Sequence, residues 1–172
     1  MSLISRLLKP AADPREALRP LWHDIVFVSR ERDWYANCGV ADSVDGRFDM
    51  IALVLSLVLL RMEKSETLAP QTALLTELFV ADMDRQLRET GVGDLMVGKR
   101  MGKIMSALGG RMGALREAMT ESDATLAGIL ARNVALADEE KKPFQFAVRT
   151  RALHADLAVQ TDEALLAGKV RP

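Results

Sequence analysis

Aromatic side chains are scarce in this chain of 172 residues, in which Phe, Trp and Tyr together make up 5% of the sequence. Proteins that bind single-stranded nucleic acid stack the bases on aromatic rings, so this scarcity argues against such a platform. An excess of charge of one sign is also missing, since 23 Lys and Arg face 24 Asp and Glu. The chain therefore lacks a broad positive field, and we expect no nucleic-acid readout.

Cysteine is limited to Cys38, which excludes a disulfide within the chain and fits a reducing compartment. The longest apolar run, residues 50–60, covers about 16 Å as a helix, whereas about 20 residues are needed to span a bilayer. The first residues lack the apolar core and the small-residue cleavage site of a secretory signal. These absences predict a cytoplasmic protein, and peripheral contact with the inner face of the cytoplasmic membrane is left open.

The stretch 39–60 organises the rest of the chain. A polar turn that contains glycines and aspartates runs directly into the apolar run, which is long and rich in leucine and therefore favours a helix over a strand. Ser43 or Asp45 is expected to cap this helix, and Asp49 suits the positive end of the helix dipole. Because a helix that is apolar on every side is buried, we predict a buried central helix at about 47–62.

The remaining sequence predicts helices around this central one. A chain of this length forms one domain and buries about 70% of its unfolded surface. Further helices are expected at about 14–32, 71–89, 95–120, 122–136 and 144–166. The last of them places Phe144, Val148, Ala152, Ala155 and Val159 on one face. The predicted fold is therefore all-α, a single globular domain of about six helices over residues 13–172.

An N-terminal tail, residues 1–12, precedes this domain. Leu3, Ile4, Leu7 and Leu8 share one face of a short amphipathic segment that Pro10 ends. Such a segment either touches a membrane surface weakly or packs one or two leucines as a frayed terminus.

The segment 95–120 combines two stripes on one helix. Its apolar stripe consists of Val97, Met101, Ile104, Met105, Leu108, Met112, Leu115 and Met119. At about 100° per residue, a second face roughly 80° wide consists of Gly98, Gly102, Ser106, Gly109 and Gly113. Each glycine costs a helix about 1 kcal/mol relative to alanine, and small residues at this spacing let another helix approach closely. That second helix is either the protein's own central helix, the simpler interpretation, or an apolar helix of a client protein.

Three patterns fall short of an active site or a metal site. The run from Gly93 to Lys99 matches a phosphate-binding loop, but Arg100 replaces the Ser or Thr that binds magnesium, and a helix rather than a strand precedes the run. The aspartates around residue 45 lack the spacing of a calcium loop. Cys38 has no basic activator close in sequence beyond Arg32. We therefore predict a protein that is not an enzyme and that holds no metal or cofactor.

Two stretches together are more specific than either alone. They read Trp34-Tyr35-x-x-x-Gly39-Val40-x-Asp42-Ser43-x-Asp45-Gly46-Arg47-Phe48-Asp49 and Asp82-Met83-Asp84-Arg85-x-Leu87-Arg88-Glu89-x-Gly91-Val92-Gly93-Asp94-Leu95-x-Val97-Gly98-Lys99. This pairing resembles the ubiquinol–cytochrome c chaperone family over roughly residues 21–119, with both ends outside the resemblance. Ser43 stands where the family usually has Thr, Val54 where His is common, and Met96 where Ser often stands, which puts any role of that His or Ser in doubt.

The resemblance implies a non-enzymatic assembly chaperone for ubiquinol–cytochrome c reductase. Such a chaperone would bind newly made cytochrome b, an apolar membrane protein, until haem is inserted and further subunits are added. Contact with the inner membrane or with the ribosome is a further implication. No convincing transit peptide is visible, which favours a bacterial member of the family. The alternatives are a structural scaffold subunit and a nucleotide-binding factor that uses the Gly93–Lys99 turn.

Two sets of residues follow from this hypothesis. Contact with the client is predicted at Tyr35, Arg47, Phe48, Arg88, Lys99, Met101, Met105 and Met112. The motif turns are predicted at Gly39, Asp42, Asp45, Gly46, Gly91, Gly93, Asp94 and Gly98, where the residues either serve caps and tight turns alone or also shape a groove. The hypothesis requires an exposed apolar surface larger than the few hundred Å² usual for a monomer.

Overall fold

The computed structural model describes residues 13–89, 91, 93–137 and 142–172. The predicted tail 1–12 lies outside these residues. The α-helices are α1 Arg19–Ser29, α2 Arg32–Ala36, α3 Val44–Met62, α4 Thr72–Glu89, α5 Asp94–Ala118, α6 Asp123–Asn133, α7 Pro143–Val159 and α8 Asp162–Leu166, with 3-10 helices at Pro14–Leu18 and Ala69–Gln71. An isolated antiparallel bridge joins Val40 to Leu136. The all-α prediction is confirmed.

Short polar side chains fix where α3, α6 and α8 begin. The Ser43 hydroxyl accepts a hydrogen bond from the backbone N–H of Gly46 and caps α3. Ser122 caps α6 and Thr161 caps α8 in the same way. Each cap satisfies a backbone donor that has no partner inside the helix. Of the two caps predicted for the central helix, Ser43 is therefore the one used, and Asp45 lies in the first turn.

Helix α3 is the centre of the fold, as predicted. Every residue from 50 to 60 is buried, and α1, α5 and α7 pack against the helix. Ser56 is fully buried and donates a hydrogen bond to the carbonyl of Ala52, one turn earlier. The hydroxyl therefore causes no unpaired polar group in the core.

The long first helix predicted from residue 14 to 32 is divided into two pieces, and the second ends three residues before the predicted end. A 3-10 turn precedes α1, and α1 ends at Ser29. The following helix, α2, folds back over this end, because the Trp34 indole donates to the carbonyl of Val28 and the Tyr35 hydroxyl donates to the carbonyl of Ser29. These carbonyls at the end of α1 thus find side-chain partners instead of a further helical turn.

The last predicted helix, 144–166, is also divided, at Gln160. The Arg61 guanidinium donates to the carbonyls of Leu157 and Gln160 at 3.2 and 2.8 Å and pairs with Asp162 at 3.0 Å. These bonds occupy the carbonyls at the end of α7 and fix the start of α8, so the chain turns between the two helices.

The apolar face predicted along the last helix is exposed to solvent. Phe144 is 55% exposed, Val148 48% and Val159 75%, and Ala152 and Ala155 are also exposed. The core is filled instead by the opposite side of α7, through Phe146, Ala147, Thr150, Leu153 and Leu157. Both sides of this helix are therefore apolar.

No described helix has both the length and the apolar character that crossing a bilayer requires.

Candidate functional site

The glycine face of α5 is open. A Cβ atom built on Gly98, Gly102, Gly109 or Gly113 meets no atom of the described residues within 4 Å, apart from the turns of α5 itself. The interpretation that the central helix lies against these glycines is therefore wrong. Helix α3 packs against the other side of α5, where large side chains such as Leu108 and Leu115 are buried.

Methionines form one edge of this open face. At about 100° per residue, Met105 and Met112 lie directly beside the glycine stripe, and Met101 lies next to them. Met105 is 36% exposed, whereas Met101 and Met112 are partly buried against the core. A methionine side chain is flexible and polarisable, so it adapts to apolar partners of different shape. The face thus has an apolar edge that reaches from the core to the solvent.

Lysines form the opposite edge. Lys99 and Lys103 are exposed, and the same helical geometry places them on the side of the glycine stripe away from the methionines. We call the surface formed by Gly98, Gly102, Ser106, Gly109, Gly113, Met105 and Lys99 the α5 face. The α5 face is about four helical turns long. Its centre consists of glycine and serine, one edge is apolar and the opposite edge is basic.

A separate cleft lies where α3, α4 and α1 meet. Its volume is about 310 Å³, and its lining residues are Arg30, Val44, Arg47, Phe48, Ile51, Gln86 and Glu89. Val44 is 65% exposed, so an apolar side chain lies at the opening of this cleft. Phe48 also lines a smaller cavity of about 70 Å³, together with Met83 and Ile104. Phe48 is therefore the residue that connects this cleft to the buried side of α5.

The two arginines among the predicted client contacts form exposed ion pairs with neighbouring carboxylates. Arg47 pairs with Asp42 at 2.8 Å, and Arg88 pairs with Asp84 at 2.7 Å. Exposed pairs of this kind contribute about 0–1 kcal/mol to stability. Because these pairs are weak, a binding partner that offers its own carboxylate can replace Asp42 or Asp84 at little cost in free energy.

Tyr35 has a structural role that the sequence did not indicate. It is half-buried, and its hydroxyl donates to the carbonyl of Ser29 at 2.9 Å. Burial raises the pKa of the Tyr35 hydroxyl, and Asp42 raises it further, against the opposite effect of Arg47. The phenol therefore stays protonated and continues to donate this hydrogen bond.

Seven of the eight predicted client contacts fall into two groups, and the eighth, Arg88, lies on α4. Arg47 and Phe48 line the same cleft, and Tyr35 is close enough to Arg47 for its pKa to respond to that charge. Lys99, Met101, Met105 and Met112 lie along α5 instead. Their role in client contact stays a prediction.

The amino-acid sequence of this chain is similar to that of a known protein family. The model of the family described as ubiquinol-cytochrome C chaperone matches residues 36–172, which is more than half of the chain. The chain belongs to the ubiquinol–cytochrome c chaperone family. The predicted resemblance is thereby confirmed, with different bounds. The match begins at residue 36 instead of about 21, so Trp34 and Tyr35 lie outside it, and it includes the C-terminal end, which the resemblance had left out.

A solved relative supports the same assignment. The crystal structure of the Cbp3 homolog from Brucella abortus has a TM-score of 0.76 with this chain at 30% sequence identity, and the match covers 91% of this chain and 88% of that one. No curated protein sequence matches the chain significantly. Family membership supports a role as an assembly chaperone for ubiquinol–cytochrome c reductase and implies a role without catalysis.

Three glycines of the family motif have conformations or contacts that a side chain would disturb. Gly39 and Gly91 have φ angles of 73° and 78°, in the left-handed region that glycine adopts without strain. A Cβ on Gly46 would lie 2.1 Å from the carbonyl oxygen of Ala41. These three positions therefore have a structural reason to be glycine, whatever else they contact.

The other predicted turn residues differ from one another. Gly93 takes the N-cap position of α5, and Asp42 forms the exposed pair with Arg47. The side chain of Asp94 lies outside the described residues. Gly98 lies inside α5 and not in a turn, since α5 already begins at Asp94. It belongs to the open face of the helix.

The sequence reasoning missed the ion pair between Arg111 and Asp49. The Arg111 side chain is only 5% exposed and lies 3.0 Å from the Asp49 carboxylate. It also donates to the carbonyls of Asp49 and Asn133, while the other Asp49 oxygen accepts from the backbone of Ala135. The sequence feature that could have indicated this pair is Arg111 itself, a charged residue on the core-facing side of α5 between Leu108 and Leu115.

No metal site or phosphate loop is formed by the residues that the structure describes. Within those residues, no three His, Cys, Asp or Glu side chains come together in a way that suits a metal ion. Gly98 and Lys99, the end of the phosphate-loop pattern, are part of α5. Their backbone N–H groups are thus directed along a helix and do not form the loop that cradles a phosphate.

Proposed function

We propose that this chaperone binds newly synthesised cytochrome b and that an apolar helix of this client packs on the α5 face. The observation that carries the proposal is the open row of glycines. Glycine is the least favourable ordinary residue inside a helix, by about 1 kcal/mol relative to alanine. Among the described residues, no packing contact in the protein itself accounts for these glycines.

A transmembrane helix of the client has the properties that suit this surface. Helices in membranes associate closely where small residues let the backbones approach, and the glycine floor of α5 allows the same approach from one side. The exposed Met105 and partly buried Met112 would adapt to the side chains of different client segments. Lys99 and Lys103 would then lie beside the client, where they can pair with acidic groups or remain in water.

The cleft at Phe48 is the second contact in this proposal. It is lined by apolar Val44 and Ile51 and by Arg47 and Glu89. A cleft of about 310 Å³ is at the lower end of the usual size for a ligand site, which suits one or two client side chains rather than a whole helix. Peripheral contact with the inner membrane or the ribosome is compatible with this arrangement and is part of the proposal.

Site-specific photo-crosslinking in cells tests the proposal directly. We expect probes at Phe48, Lys99 and Met105 to capture cytochrome b that has not yet received haem. A probe at Ala131, an exposed alanine on α6, is the matched control and should capture none. Capture of cytochrome b at Ala131 alone, or of no client at any of the three positions, would contradict the proposed site.

Crosslinking tests the scaffold alternative, and a thermal-stability measurement tests the nucleotide-binding alternative. A scaffold subunit would be captured with the mature complex in fixed ratio, after haem insertion. A nucleotide-binding factor would gain thermal stability with millimolar ATP and magnesium, because a ligand that binds the folded state stabilises it.

A further inference from the structure

Helix α7 carries a second exposed apolar surface, which the proposed client site does not include. Its members are Phe144, Val148, Ala152, Ala155 and Val159, and we call it the α7 ridge. The three larger residues are each about half exposed or more. A helix that lies on the surface of a monomer normally presents charged or polar residues to the solvent. The α7 ridge therefore has the composition of a covered surface.

The charged side chains of α7 are all engaged within their own chain. Arg149 pairs with Glu31 and Asp33 and lies over the Trp34 ring. Asp156 pairs with Arg171 at 2.8 Å. These contacts place the charges beside the ridge, so its centre remains neutral over a length of about 22 Å at roughly 1.5 Å per residue.

Two further basic side chains border the ridge, Arg151 and His154. The Arg151 guanidinium pairs with Asp123 at 2.7 Å and donates to the carbonyls of Met119 and Glu121. Burial lowers the pKa of His154, and Lys64 and Arg151 lower it further. The histidine is therefore neutral at physiological pH, and the arginine is neutralised by its own carboxylate.

The spacing of the ridge is nearly the same when it is read in either direction. Phe144 and Val159 are equally distant from the point between residues 151 and 152, and so are Val148 and Ala155. The fifth member, Ala152, has Arg151 as its counterpart, and that arginine is paired with Asp123. The large residues lie at the ends and two alanines lie near the middle. A surface with this pattern is complementary to an antiparallel copy of itself, in which each large end residue meets the opposite end.

We infer that two copies of this chain associate through the α7 ridge, with the two α7 helices antiparallel about a two-fold axis near Ala152. Val148 of each copy then packs on Ala155 of the other, and Ala152 lies opposite Arg151, whose guanidinium is held by Asp123 and by the carbonyls of Met119 and Glu121 in its own chain. The two alanines let the helix axes approach to about 8–10 Å. A partner of opposite charge is not favoured, because the ridge has no charge to complement. A second copy presents the same neutral surface.

The contact area sets the strength of this association. One pair of helices in contact over about 22 Å buries much less than the roughly 1,600 Å² of a standard interface. The dimer is therefore weak and depends on protein concentration. Its formation leaves the α5 face as a separate surface on another helix, so the inference does not rest on the proposed client.

Sedimentation equilibrium of the full chain measures this association. Between about 1 µM and about 1 mM protein, we expect the mean mass to rise from the monomer value of 18.9 kDa toward twice that value. Ala155→Lys should remain at the monomer mass over the whole range, because it places two charges in the neutral interface. Ala131→Lys, an exposed alanine on α6, is the matched control and should associate as the wild type does.

A disulfide tests the antiparallel geometry separately. Near the two-fold axis, Ala152→Cys brings the two thiols within the range that a disulfide requires, so mild oxidation should give a covalent dimer. The natural Cys38 is only 3% exposed and does not compete. Ala131→Cys should give none.

The inference is wrong if the wild type keeps the monomer mass at every concentration, or if Ala155→Lys associates as strongly as the wild type. It is also wrong if Ala152→Cys forms no more covalent dimer than Ala131→Cys. If the wild type stays monomeric while Val148→Lys loses capture of cytochrome b, the ridge belongs to the client and not to a second copy.

Discussion

Helices α3 and α5 are neighbours with opposite designs. In α3, eleven consecutive residues from 50 to 60 are buried on all sides. In α5, the longest described helix, the buried residues are confined to one side, at Val97, Leu108, Arg111, Leu115 and Ala118. The side away from them carries glycines with open space above. The comparison indicates that α3 serves the fold alone, whereas α5 serves the fold with one side and a partner with the other.

The largest loss of stability is expected when the ion pair between α5 and α3, Arg111 with Asp49, is broken. Arg111→Ala leaves the Asp49 carboxylate in a partly buried site without its cation, and breaking such a pair costs about 3–5 kcal/mol. Chemical denaturation should show a loss of this size. Arg116→Ala is the matched control on the same helix, since its pair with Glu63 is exposed and should contribute about 0–1 kcal/mol. Equal losses for the two variants would contradict a special role for Arg111.

The next largest loss of stability is expected for a buried side chain of α3, and it can be compared with the loss for an exposed side chain of α5. Leu55→Ala removes a fully buried side chain and should cost about 2–5 kcal/mol. Met105→Ala removes a side chain that is 36% exposed, and such surface changes usually fall within about 0.5 kcal/mol. Thermal unfolding of both variants gives the comparison. A loss of several kcal/mol for Met105→Ala would mean that the α5 face is part of the core.

A pH-dependent effect is expected at the C-terminal end of α3. The Ser65 hydroxyl, together with Arg61, holds the pKa of Asp162 below its ordinary value of 3.8. The contact thus contributes stability above pH 3.8 that is lost as the pH falls through the lower folded-state pKa. The difference in unfolding free energy between wild type and Asp162→Asn should therefore shrink as the pH is lowered from about 5 to about 2. A constant difference would exclude this contribution.

The sequence predicted the parts of this molecule that local patterns determine. The apolar run 50–60 gave the buried central helix, and Ser43 gave its cap. The break at Gln160 was not predicted, and the first helix ends three residues before its predicted end at 32. Both depend on side chains that arrive from elsewhere in the chain, such as Arg61 and Trp34. Local periodicity contains no information about such contacts.

The sequence predicted which residues form the α5 face, but not whether that face is covered or exposed. The glycine stripe and the methionines are visible as periodicity, but whether a helix of the protein covers them depends on the packing of the whole domain. The simpler interpretation, that α3 lies against the glycines, was wrong. The same limit applies to α7, where periodicity identified Phe144 and Val159 on one face but not that this face is exposed.

The smallest effect on stability has the opposite sign and gives the most direct test. Gly102→Ala and Gly109→Ala add a Cβ that meets no described atom, and replacing glycine by alanine at a compatible position stabilises a protein by about 0.4–1 kcal/mol. The same Cβ atoms would keep a client helix from approaching the backbone of α5. Gly128→Ala on α6, where the nearest atom is an Arg132 side-chain nitrogen at 3.6 Å, is the matched control.

The decisive measurement is the amount of cytochrome b that co-purifies with the Gly102→Ala, Gly109→Ala double variant, recorded beside its melting temperature. We expect a higher melting temperature together with a clear loss of cytochrome b, while Gly128→Ala retains the client. A double variant that is more stable and still binds cytochrome b as well as the wild type would contradict the role of the α5 face.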